Sequence, residues 1–449
     1  MRKSVTYFSL DMNPNKLNEL NRRDFLSTTA KACFGVTIGG SMAKLFNDNA
    51  WAVDPKIARM GGGKAKHVIY LYMSGGMTHI DTFDPKPDAS SDYKGPTRAI
   101  NTNADGIQLG HCLPQLAKQM DKVSLVRSLS TTQGAHEQGK YLMHTGYSPR
   151  GSVLHPSQGS WAAKLAGRIS DDLPPFVLIG GGNRHPGAGF FEPKSAPLPI
   201  GDPEKGLQNV KLRGNTTNAG LKRQLDMRLD LDHDFDSKFH RGQKSVRAYN
   251  DMYDSAVQMM KSKDLEAFDL SREKEVTRNA YGRDRFAQGV LLARRLVEKG
   301  VRFIEVEYGG FDWHADNFTQ MEEKIPVLDQ ALGALLADLS AKGLLDSTLV
   351  VVATEFGRTP RVTNDGGRNH YPKAFSCLFA GGGVKGGYAH GKTDETASNV
   401  VEGKVGAHDF SSTIAFALGI PHDKILMSPS KRPFAMGGKG GTPITSLFG

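Results

Sequence analysis

A chain of 449 residues, 39% hydrophobic and 23% charged, has the composition of a folded globular protein, which excludes disorder over most of its length. Its formal charge of +10 is not gathered into a basic block interleaved with aromatics, which argues against a nucleic-acid partner and favours anionic small molecules or an acidic polymer. Three cysteines, Cys33, Cys112 and Cys377, show neither metal-binding spacing nor a disulfide framework.

The first signal is an address. Asn21-Arg22-Arg23-Asp24-Phe25-Leu26, a weakly apolar stretch to about Phe46, and Ala50-Trp51-Ala52 together have the pattern of a twin-arginine export signal with its cleavage site. Residues 1–52 are therefore expected to engage the twin-arginine export machinery and be removed, leaving a periplasmic or secreted protein with a single domain over 53–449. That leader holds seven Lys or Arg against four Asp or Glu, so the remainder keeps +7 of the +10. No later stretch offers the ~18 consecutive apolar residues of a membrane span.

Strands and helices then alternate. His67–Met73 reads as a buried strand that breaks at Ser74-Gly75-Gly76 and is followed by His79, Asp81 and Asp84. Val123–Val126 reads as a second strand, and in residues 134–149 His136, Lys140 and His144 recur at helical spacing, so they share one face. Phe176–Ile179 is a third strand, after which a Gly/Pro-rich and then helical excursion runs from about 180 to 285. Within it Asp226–Asp236 lacks the turn glycine and closing glutamate of a calcium loop.

Val301–Val306 is the next strand and leads into Phe311-Asp312-Trp313-His314. The amphipathic run Ile325–Leu345 feeds a further strand, Val350–Val352, which ends at Glu355, Gly357 and Arg358, with Asn369 and His370 later in the same loop. Phe375–Phe379 is another strand, and Asp409 reads as an N-terminal residue of the helix that follows. This alternation predicts an α/β fold: a doubly wound, mostly parallel sheet with helices on both faces.

In such a sheet, ligands gather outside the carboxyl ends of the strands, where three loops present nitrogen and oxygen donors. His79, Asp81, Asp312, His314, Glu355 and His370 are the candidate ligands for one or two divalent ions. Mixed imidazole and carboxylate favours zinc or manganese over calcium. Arg358 and Lys140 are candidates for stabilising charge on a transferring group, and His136 for the nucleophile, with water the alternative.

The arrangement resembles the alkaline phosphatase and sulfatase superfamily, and more closely the exported family called domain of unknown function 1501, over nearly all of residues 65–430. Ala353-Thr354-Glu355-Phe356-Gly357 is similar to the strand-end motif that carries a metal-binding Asp in those enzymes, and Asp312 with His314 resembles the phosphatase pair after the preceding strand. His408-Asp409-Phe410 and the helix after it resemble a structural sulfatase segment. Two departures stand out: Gly75-Gly76 replaces a pair of aspartates, and His136 and Lys140 fall where sulfatases place the nucleophile and its arginine. The resemblance implies an exported metal-dependent hydrolase acting on phosphate or sulfate esters of small molecules or glycans; the departures leave open a non-catalytic protein of the cell envelope that binds metal or anionic glycan.

Overall fold

A computed structural model describes residues 60–181, 184–208 and 256–449, with isolated positions such as Ile57. The leader, Gly182 and nearly all of the Asp226–Asp236 run lie outside the described residues. By its contacts the chain divides into two units, and the sheet with its covering helices belongs to the larger, Lys44–Leu207 with Lys261–Gly449.

Runs of β-branched and aromatic residues buried on both faces make strands of a covered sheet. Eight of them assemble: β1 (His67–Ser74), β2 (Val123–Leu129), β3 (Phe176–Ile179), β4 (Leu198–Ile200), β5 (Phe303–Gly309), β6 (Thr348–Ala353), β7 (Phe375–Ala380) and β8 (Tyr388–His390). Their order is β8-β2-β7-β6-β1-β5-β3-β4. Only β7 runs antiparallel to its neighbours, β2 and β6. Tyr72 of β1 pairs with both Glu307 of β5 and Ala353 of β6, so these three central strands end level and open their loops on one rim.

The helices that matter here are α1 (His136–Thr145), α2 (Gln158–Leu165), α3 (Arg285–Glu298), α4 (Asn317–Ala341) and α5 (Ala407–Ala417). Successive residues of a strand point to opposite faces. Glu305 of β5 meets His144 of α1 at 2.8 Å, whereas the next residue, Val306, lies against Gly289 of α3. Hence α1 and α3 cover opposite faces, and the sheet is doubly wound as its pattern predicts. Trp161 of α2 and Phe410 of α5 join Tyr70, Tyr72 and Phe303 in the core on the α1 side.

One local expectation needs adjustment. Helix α4 begins at Asn317, well before Ile325, and contains Pro326; its first two turns carry mostly polar residues, so their apolar period is weak. Cys112 and Cys377 are both buried and both free. Asp409 does cap its helix: its Oδ2 accepts the Gly406 N–H at 2.9 Å.

Candidate metal centre

Three loops and one helix meet at the carboxyl rim. Gly75 turns the chain after β1 at φ +120°, and a Cβ there would stand 2.6 Å from the Phe311 nitrogen, so only glycine lets the first loop pass beneath the second. Residues 311–317 and 363–368 are stitched together by backbone bonds, Arg368 N–H to Trp313 O at 3.0 Å and Asn317 N–H to Gly366 O at 3.0 Å. The second of these segments leads into a short ribbon that pairs His370 with Arg358. Helix α1 closes in from the side; Gly139 brings it so near that a Cβ would be 3.1 Å from Glu355 Cβ.

Four side chains converge there. Asp312 Oδ1 is 2.9 Å from His314 Nε2 and 3.1 Å from His370 Nε2, and Oδ2 is 3.1 Å from His136 Nε2. The two ring nitrogens His314 Nε2 and His370 Nε2 are themselves 3.1 Å apart. The opposite nitrogen of each ring identifies the tautomer. His370 Nδ1 faces the Gly134 carbonyl at 2.7 Å, His314 Nδ1 faces Asn369 Oδ1 at 2.9 Å, and His136 Nδ1 faces Glu355 Oε1 at 2.9 Å. Each partner is an acceptor, so each Nδ1 donates and each ring turns its Nε2 toward the carboxylate.

Three imidazole nitrogens and a carboxylate so close together call for protons or a cation between them. His136 Nε2 shows the same want: it is buried and makes no hydrogen bond despite its nearness to Asp312 Oδ2. Histidines that spend one nitrogen on a carbonyl or carboxylate and offer the other are the usual ligands of zinc, manganese or iron, so the donors fit a divalent ion. Asp312 is 44% exposed and His314 49% by side chain, which leaves the site open on one side.

The surroundings set the charge. Burial pushes the Asp312 carboxyl up, but the hydrogen bond from Arg358, 2.5 Å away, and the nearby histidines outweigh it and hold the group well below the carboxylate range. Glu355 behaves alike: burial opposes its charge, yet it accepts from His136, from Gly75 N–H at 2.8 Å and from the Tyr72 hydroxyl at 3.1 Å and stays ionised. That hydrogen bond to Glu355 raises the proton affinity of His136, so without an ion a proton takes its place between His136 and Asp312.

Residues 65–448 match the family described as Protein of unknown function (DUF1501). The chain belongs to that family. No curated protein sequence matches it. Its structure is similar to that of the PsFucS1 sulfatase from Pseudoalteromonas sp., at 14% identity, over 85% of this chain and 76% of that one, with a TM-score of 0.40. It is also similar to the lipoteichoic acid synthase LtaP from Listeria monocytogenes, at 10% identity over 88% and 78% of the two chains with a TM-score of 0.40. A protein in the alkaline phosphatase superfamily from Vibrio parahaemolyticus is similar at 12% identity, over 89% and 75%, with a TM-score of 0.34.

In this DUF1501 protein the structure brings together Asp312, His314 and His370 of the expected ligands, and adds His136. The other three have different partners. Asp81, fully buried, is gripped by Arg368 through Nε at 2.7 Å and Nη2 at 2.9 Å, and also accepts from Thr78, Thr97 and Asn317, so no electron pair is left for an ion. His79 is buried and bonds the Ala397 carbonyl at 2.9 Å. Glu355 stands behind His136 and orients it instead of ligating.

The three expected catalytic groups are also committed elsewhere. His136 places one nitrogen on Glu355 and the other among the cluster donors, 3.1 Å from Asp312 Oδ2, which is the position of a ligand. Arg358 is fully buried and spends its guanidinium on Asp312 and the carbonyls of Gly75, Gly76 and Arg368. Lys140 Nζ lies 2.6 Å from Glu307 Oε1. The shared face of α1 is thus not a solvated stripe: His136, Lys140 and His144 meet Glu355, Glu307 and Glu305 in turn.

The lowest rung forms a second cluster, His144, His185 and Glu305. His144 Nδ1 faces the Lys140 carbonyl at 2.7 Å and its Nε2 faces Glu305 Oε1 at 2.8 Å, so both ring nitrogens have partners. His185 Nδ1 accepts the Gly187 N–H at 3.0 Å, so its Nε2 donates to Glu305 Oε2 at 3.2 Å. Hydrogen bonds account for every nitrogen of that cluster.

Proposed function

We propose that this protein is a metal-dependent hydrolase of phosphate or sulfate esters, exported by the twin-arginine pathway to the periplasm or beyond. The observation that carries the reading is the convergence of three histidine Nε2 atoms and one carboxylate at an open rim. His136, Asp312, His314 and His370 would hold one divalent ion. Imidazole-rich ligation suits zinc or manganese, and calcium, which prefers oxygen, least. A bound ion would neutralise the anionic ester and acidify water beside it.

The chain's own residues do the rest. Glu355 fixes the tautomer of His136, Asn369 that of His314 and the Gly134 carbonyl that of His370. Arg358 holds Asp312 in place. With His136 engaged at both nitrogens, the attacking group is water. Its oxygen bonds to phosphorus or sulfur as the ester oxygen leaves with the bonding pair; one water proton ends on the departing alcohol and the other is released with the acidic product.

The test is elemental analysis of the mature protein together with turnover of aryl phosphates and aryl sulfates before and after a chelator. One ion per chain, and activity lost with chelator and restored by zinc or manganese, is the expected outcome; a protein that holds no ion and turns over neither ester would end the hydrolase reading. The non-catalytic alternative, a cell-envelope protein that binds metal or anionic glycan, draws support from one observation: Arg358 and Lys140 are both already neutralised by carboxylates. It predicts bound ion without turnover. Export is tested by replacing Arg22 and Arg23 with Lys, which should leave the precursor inside the cell.

A further inference from the structure

The charge of the site limits which esters it takes, an inference that rests on the hydrolase reading above. Among the described residues, Arg358 is the only guanidinium or ammonium group that pairs with the four metal donors. Asp312 and Glu355 are the two carboxylates that bond those donors; Asp312 pairs with the Arg358 guanidinium, and Glu355 accepts the Gly75 N–H and the Tyr72 hydroxyl beside His136. A divalent ion and one guanidinium against two carboxylates leave a single positive charge. Lys140 lies one helical turn from His136 on the same face, and Glu307 cancels its charge at 2.6 Å with both side chains only 12% exposed. Lys324 is spent on the other side of β5, on the Gly309 carbonyl at 2.9 Å and over the Tyr308 ring, which stacks on Phe286 of α3.

We propose that the site selects esters whose tetrahedral centre bears one negative charge, phosphodiesters or sulfate monoesters, and discriminates against phosphate monoesters, with the Lys140–Glu307 pair setting that preference. A monoanion brings the site to neutrality. A dianion leaves an uncompensated negative charge beside two carboxylates, one of them buried, where charge imbalance is costly. The two sources of a monoanionic centre differ in the central atom alone, and turnover separates them.

The experiment uses the full mature protein loaded with zinc or manganese at pH 8, where a phosphate monoester, with its second pKa near about 6, is a dianion. Binding of diethyl phosphate, a monoanion, is compared with that of phenyl phosphate by calorimetry, and turnover of bis(4-nitrophenyl) phosphate and 4-nitrophenyl sulfate with that of 4-nitrophenyl phosphate. Diethyl phosphate is expected to bind tighter by about tenfold or more, the equivalent of one modest charge interaction. Turnover of the diester or of the sulfate then names the source. Glu307→Gln, which frees Lys140 with little change of shape, is expected to shift the dianion-to-monoanion ratio about tenfold toward phenyl phosphate.

Phenyl phosphate binding as tightly as diethyl phosphate in the unaltered protein overturns the proposal, whether or not any ester is turned over. An unchanged ratio in folded Glu307→Gln overturns the role of the pair. Clear discrimination in binding with no turnover of any ester supports selection by charge and counts against the hydrolase reading alone.

Discussion

The two histidine clusters have nearly the same composition and opposite chemistry. At the rim, His136, His314 and His370 surround Asp312; some two turns deeper along α1, His144 and His185 surround Glu305. In both, histidine nitrogens lie about 3 Å from a carboxylate. What separates them is the fate of each ring's other nitrogen. Rim rings each give a proton to an acceptor on the far side and turn the other nitrogen toward Asp312. In the deeper cluster His185 accepts on its far side and presents an N–H, while His144 bonds an acceptor at each nitrogen. The rim leaves a buried nitrogen of His136 without a partner, and the interior cluster is closed by its own hydrogen bonds. Cluster composition is therefore a poor guide to a metal site, and the partner of the outer nitrogen a good one.

This contrast breaks most readily at the rim. Asp312→Asn removes the charge that three rings share, and bound ion is expected to fall from one per chain to a small fraction in elemental analysis. Turnover should drop on the order of a thousandfold, since the ion's charge stabilisation is worth several kcal/mol. Ion content unchanged in this variant would show that the rim is not a metal site. In the interior, Glu305→Gln weakens the buried hydrogen bonds of His144 and His185 and is expected to destabilise the fold by about 1–3 kcal/mol, read from denaturant midpoints. Its folded fraction should keep the rim ion; loss of that ion would merge the two clusters into one. A subtler probe is Glu355→Gln, which keeps an acceptor for His136 but removes the charge behind it. Metal affinity should weaken by about 10–100-fold in a competition titration, with little change in the midpoint.

The sheet was readable because its strands are short apolar runs buried on both faces, a property of local sequence alone. Asp312, His314 and His370 were readable as candidates for the same reason: each lies in a loop on the strand-end rim, and a parallel sheet gathers such loops at one edge. Assignment of roles failed wherever it depended on a distant partner. Asp81 has the same local context as Asp312, yet a guanidinium 287 positions away takes its electron pairs. His136 stood where a nucleophile would, and only Glu355, 219 positions on, turns it into a donor. The face shared by His136, Lys140 and His144 was visible at helical spacing, but not that three glutamates from two other strands' ends bury it. Spacing reveals which groups share an edge, and long-range hydrogen bonds decide which of them keep a lone pair.

Asp329 extends the comparison to a buried acid with no histidine at all. It lies on α4 with 2% exposure, and its oxygens accept the Gln115 N–H at 2.8 Å and the Leu116 N–H at 2.7 Å. Burial wins over those two bonds and pushes its carboxyl up to about 6, from an ordinary 3.8. Between these values the folded chain binds the proton more tightly than the unfolded one, so this group's contribution to stability declines as pH rises from 4 to 6 and is constant above. Stability of Asp329→Asn relative to the unaltered protein should therefore improve by on the order of 2 kcal/mol between pH 4 and pH 7, whatever the substitution costs at either end. Glu305 slopes the other way. Burial opposes its charge, but His144 and His185 hold its carboxyl far below the ordinary range, so its contribution is present above about pH 4.5 and is lost as pH falls further. Glu305→Gln should thus lose ground to the unaltered protein as pH rises toward about 4.5, below most of the range in which Asp329→Asn gains it. Parallel denaturant series at pH 3, 4, 5, 6 and 7 read both slopes; slopes of the same sign would mean that the partners around a buried carboxylate do not decide its charge here.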